Sequence, residues 1–185
     1  MKKLLALVLA SLLVFAFVAC ADKEDVEDPV VDPVVDPVED PVEDPVEDPV
    51  EDKLTPAATL LASFKDLMAT SEDKSPETLA NALITNPIIP FAGGAMAVEP
   101  GFLQGFDADV TGFEKGAVFM PMIGAIPFVG YVFELGADAD VDAFVQTLKD
   151  NANMRWLICA QAEEVVCEAV DNTVFFCMAK LSFEE

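Results

Sequence analysis

Histidine is absent from all 185 residues. That one absence excludes Ser-His-Asp and Cys-His catalysis, HExxH zinc sites and imidazole acid-base chemistry together. Bases are scarce: ten Lys and Arg face 34 Asp and Glu, for a net charge of −24. The acidity has two sources. Residues 22–53 hold 15 acids and two lysines, and residues 54–185 hold 19 acids and six bases, so each stretch carries −13. Nucleic acid is not an expected partner, because its binding rests on Lys and Arg neutralising phosphates. Anionic membrane surfaces repel such a chain as well.

Motifs for bound groups are also lacking. "AGGAM" at 92–96 has paired glycines but neither the Lys nor the Ser/Thr of a phosphate loop. The four cysteines show no C-x-x-C spacing, which argues against zinc and thioredoxin-like chemistry. Asp138, Asp140 and Asp142 open like a calcium loop, but Ala143 and Lys149 stand where Gly and Glu are required. These acids suit the first turn of a helix instead. Asp107, Asp109, Thr111 and Gly112 match the opening better, yet the twelfth position is Val118. They are the nearest approach to a metal site, and neither metal nor cofactor is expected. No spacing identifies a catalytic carboxylate pair, so no catalytic residue is assigned.

What is present begins with "MKKLLALVLASLLVFAFVAC". Lys2 and Lys3 precede an apolar run from Leu4 to Ala19, the pattern of an export signal. The run is short for a membrane span. Ala19-Cys20 resembles the lipobox of bacterial lipoproteins. The resemblance implies cleavage after residue 19, a diacylated Cys20 at the new N-terminus, and anchoring on the extracellular face of the cytoplasmic membrane.

A tetrad follows, from Glu27-Asp28-Pro29-Val30 to Glu47-Asp48-Pro49-Val50. Proline at every fourth position breaks any helix and denies a sheet its amide donors. Each preceding Asp is pushed towards extended dihedrals. Valine at this density of charge builds no core. Residues 20–53 therefore read as a lipidated N-terminus and an extended, disordered stalk. At about 3.1 Å per residue in a polyproline-II chain, the stalk reaches on the order of 100 Å.

Residues 54–185 read as one domain. Thr55-Pro56 and Ser75-Pro76 are helix starts. Leu60, Leu61, Phe64, Leu67 and Met68 follow the first with helical spacing, and Leu79, Leu83 and Ile84 follow the second. "AMAVEP" at 95–100 holds a strand, and turns fill the rest of 87–114 with room for a short helix. Residues 116–133 carry no charge over 18 positions, but Pro121, Pro127 and the glycines favour two buried strands over a membrane span. Asp138 or Asp140 caps a helix lined by Val141, Phe144, Val145 and Leu148. The last element is a hairpin with a two-residue Asp171-Asn172 turn of type I′. In that register Val170 faces Thr173 and Cys167 faces Phe176, so no Cys167–Cys177 disulfide can form. Cys159 remains open to either. The order implies an α+β fold, a mainly antiparallel sheet with helices packed on one face.

From Phe113 to Lys180 the chain resembles a family of uncharacterised cell-surface lipoproteins of Gram-positive anaerobic bacteria. An apolar strand, the capped helix "ADADVDAFVQTL" and the hairpin "AVDNTVFFCMAK" carry the resemblance. It implies compartment and fold, but no reaction. The expected function is a lipid-anchored extracellular protein that displays a small binding domain on an acidic stalk. Its expected partners are the membrane, through the lipid, and a surface or cell-wall ligand or protein. The alternative is a carboxylate-dependent cell-wall enzyme or an accessory subunit of one.

Overall fold

The structure, a computed structural model, describes residues 54–183. The export signal, Cys20 and the repeat lie outside them. Helix α1 (Pro56–Thr70) starts where the Thr-Pro pair places it. Thr55 Oγ1 accepts the Ala58 N–H at 3.2 Å, as a cap should. A second cap comes from a distant strand. Glu164 accepts Thr55 Oγ1–H at 2.9 Å and the Ala57 N–H at 3.3 Å, so a carboxylate sits at the positive end of α1.

Helix α2 (Pro76–Ile84) also starts as expected, though Ser75 makes no side-chain bond to the helix amides. Its hydroxyl donates to Thr78 Oγ1 at 3.0 Å, while Asp73 accepts the Ser75 N–H at 2.9 Å and the Thr78 hydroxyl at 2.6 Å. The Thr78 and Ser75 bonds hold the Asp73 carboxyl below its usual range, Thr78 contributing most.

Five strands follow: β1 (Gly93–Val98), β2 (Lys115–Pro121), β3 (Val129–Glu134), β4 (Glu164–Val170) and β5 (Thr173–Ala179), with helix α3 (Val141–Asp150) between β3 and β4. Every pairing is antiparallel, and the order across the sheet is β1-β2-β3-β5-β4. The uncharged stretch 116–133 is therefore a hairpin. Among the described residues no helix is long and apolar enough to cross a membrane. Asp140 caps α3 by accepting the Ala143 N–H at 3.0 Å. The connection 99–114 contains no helix; two isolated bridges hold it, Gly101 with Val110 and Phe106 with Ala152.

The expectation of helices on one face is wrong. The two faces of the sheet each carry a core. On one face Phe119, Val132, Phe175 and Cys177 pack with Leu60, Phe64, Leu79 and Leu83 of α1 and α2. On the other Val118, Tyr131, Phe133 and Phe176 pack with Phe144 and Leu148 of α3 and with Leu103 and Phe106 of the connection. The central strands are consequently apolar on both sides. Every residue of β5 is buried, and so is all of β3 except Glu134. Tyr131 fixes the connection to the sheet, its hydroxyl donating to the Gln104 carbonyl at 2.8 Å. Burial raises the Tyr131 pKa, opposed in part by that bond.

The closing hairpin has the expected register, with Val170 opposite Thr173 and Cys167 opposite Phe176. Its turn differs from type I′. That type needs positive φ at both central residues, but Asp171 at +53° is the one non-glycine residue there among the described residues. Asn172 is also held from outside the hairpin. Its Nδ2 donates to the Leu135 carbonyl at 2.7 Å, and its own carbonyl accepts the Leu135 N–H at 2.9 Å.

Candidate functional site

The three thiols of the described residues are free: Cys159 is exposed, Cys167 and Cys177 buried. Adjacent strand positions 176 and 177 point to opposite faces, which keeps Cys167 and Cys177 apart. Burial pushes the Cys167 thiol from its ordinary 9.0 up to about 12, with Lys149 drawing it back and Glu168 adding to it. Burial pushes Cys177 up as well. These are inert core residues rather than nucleophiles. Cys159 lies in the irregular stretch before β4, where a shallow depression of about 210 Å³ is lined by Arg155, Leu157, Ile158, Cys159, Ala160 and Gln161. The depression contains no carboxylate.

The calcium candidates are not gathered into a cage. Asp107 Oδ1 accepts from Asn153 Nδ2 at 2.7 Å, and the Asp107 N–H donates to the Asn151 carbonyl at 2.9 Å. Asp107 thus ties the connection to the end of α3. Among the described residues no three Asp, Glu or Cys side chains are arranged to hold a metal ion. Other carboxylates serve as struts. Glu134 pairs with Lys115 at 3.0 Å, Glu168 pairs with Lys65 at 2.6 Å, and Glu164 caps α1.

The feature that stands apart is β1. It ends the sheet, and its six residues, Gly-Gly-Ala-Met-Ala-Val, include no charge and no proline. The Met122 N–H donates to the Ala92 carbonyl at 3.0 Å, and Ala92 therefore bonds to β2. Strand alternation then turns Gly94, Met96 and Val98 towards β2 and directs the amides and carbonyls of Gly93, Ala95 and Ala97 outwards.

Above this edge, on the face shared with α3, the register puts Met96 opposite Val118 and Gly94 opposite Met120. Gly94 places no side chain against Met120, and a Cβ there would meet nothing within 4 Å. Met96 is 56% exposed, Met122 78% and Ile123 68%, and Phe102 in the adjoining connection is 77% exposed. Large apolar side chains in water beside an open edge mark an interaction surface. The charge-free composition of residues 93–98 was the signal for it in the sequence. What the composition does not reveal is that this strand ends the sheet.

Comparison with family models, with curated proteins and with solved structures finds no match.

Proposed function

We propose that this chain is a lipid-anchored extracellular protein, attached through Cys20, that displays a small α+β interaction domain on an extended acidic stalk. The observation that carries the interaction-domain reading is the uncharged open edge of β1 with Met96, Met120 and Met122 above it, while the anchor rests on the sequence pattern that ends at Ala19-Cys20. A catalytic site is a concave pocket with a few convergent polar groups. This surface instead offers free main-chain groups and soft apolar side chains, which is what a protein partner uses. Three carboxylates have structural partners: Glu134 and Glu168 pair with lysines at the surface, and Glu164 caps α1. A stalk of residues 22–53 would carry the binding edge clear of the surface.

The test is Cys20→Ala in intact cells. The variant should leave the membrane fraction and appear in the medium or as unprocessed precursor. Retention at the wild-type level would sink the anchor.

A further inference from the structure

We infer that β1 takes up an extended, cationic segment of a partner protein as a sixth strand of the sheet. The inference rests on the interaction-domain reading and names the chemistry of the partner.

The two edges of the sheet are built differently. At β4, Glu168 is bridged to Lys65 of α1, Glu164 receives the N-terminus of α1, and the Cys167 thiol lies 4.0 Å from the Val145 carbonyl of α3. Charge and two helices thus guard that edge, as natural sheets require. Helix α2 packs on one face of β1, with Ile84 against Gly93, but β1 carries no charge, and among the described residues nothing pairs with its outward edge. Its outward amides and carbonyls at Gly93, Ala95 and Ala97 repeat at the spacing of a strand, and its small side chains let another backbone approach. A strand laid there would place alternate side chains beside Met96. Methionine adapts to different apolar shapes, so that row tolerates variation in the partner.

Charge decides the occupant. Residues 93–134 build β1, β2, β3 and everything between them, and they carry five acids against the single base Lys115. Lys115 is already bridged to Glu134. A second copy brings another −13 domain to the same edge and is repelled. The chain's own repeat, also −13 and with proline at every fourth position, is repelled and cannot donate regularly. A segment alternating apolar residues with Lys or Arg satisfies all the features together. Its backbone completes the edge, its apolar side chains meet the methionines, and its cations meet the acidic field.

The experiment uses the purified full chain and short fluorescein-labelled peptides, read by anisotropy at low ionic strength. The probes are an alternating Val-Lys peptide, its Val-Glu twin, and a Val-Lys peptide N-methylated at every residue, so that neither edge keeps an amide donor. The Val-Lys peptide should bind saturably, and the Glu twin should bind at least about tenfold more weakly, because like charges repel. The N-methylated peptide keeps the charge but loses its donors, and should also fall by at least about tenfold. Ala97→Pro removes an outward amide from an exposed position and should weaken Val-Lys binding to a similar degree.

Equal binding of the methylated peptide would overturn strand addition, as would no binding of any peptide. Equal binding of the Glu twin would overturn the cationic partner. A dimer of the chain that Ala97→Pro dissociates would give the edge to a second copy. The methylated peptide leaves the protein untouched, so that comparison decides even if the proline variant fails to fold. None of these outcomes depends on Cys20, so the anchor stands or falls separately.

Discussion

Asn172 and Leu135 hold each other through two hydrogen bonds, the Leu135 N–H to the Asn172 carbonyl at 2.9 Å and Asn172 Nδ2 to the Leu135 carbonyl at 2.7 Å. The turn of the last hairpin is thereby fastened to the end of β3, two strands meeting at one residue. Asn172→Ala removes the side-chain donor and leaves a largely buried carbonyl short of a partner, at a cost of about 1–2 kcal/mol. Asn172→Asp should cost more, because a carboxylate then faces a carbonyl. Chemical denaturation of the two variants checks the order, and an Asp variant as stable as wild type would refute the bond.

Gly130 lies opposite Phe119 in the β2–β3 pair. The phenyl ring covers the glycine so closely that a Cβ at 130 would run into it. Gly130→Ala should destabilise the fold by about 1–3 kcal/mol through overpacking, although alanine suits most strands better than glycine. A combined Gly130→Ala, Phe119→Leu variant should recover part of the loss. No recovery would mean that the clash is not with that ring.

The buried thiols set an alkaline limit. The folded pKa of Cys167 is raised from 9.0 to about 12. Between those values the unfolded chain loses the proton while the folded chain keeps it. Stability from this group is therefore complete below about pH 9 and is lost as the pH rises through about 12. Unfolding free energy measured from pH 7 upwards should fall in that window, and Cys167→Ala should fall less steeply. Parallel slopes would exclude the thiol as the cause. In the native state at neutral pH, a thiol reagent should modify Cys159 ahead of both Cys167 and Cys177, following their exposure.

Residues 22–53 should contribute nothing to the stability of the folded part. Deleting them should leave the melting temperature unchanged within error, since prolines at every fourth position and 15 acids give that stretch no means of packing. A clear fall in melting temperature would show that the repeat docks on the domain.

Local signals were enough for much of this molecule. Thr55-Pro56 and Asp140 start α1 and α3 because a cap bond is made within one turn. The register of the last hairpin follows from a two-residue turn, and with it the separation of Cys167 from Cys177. Three things required the tertiary structure. The helices cover both faces, α1 and α2 on one and α3 on the other, and no local pattern encodes on which side a helix lands. The run "VFFCMA" at 174–179 is apolar at every position, as a strand covered on both faces requires. Asn172 in that turn is bonded to Leu135, 37 residues away, a contact that neighbouring residues do not reveal. The binding edge needs both: its lack of charge is written in residues 93–98, but an uncharged strand is equally at home in the middle of a sheet. Only the strand order β1-β2-β3-β5-β4 leaves it at the end, where backbone groups that would have been paired inside are turned to water.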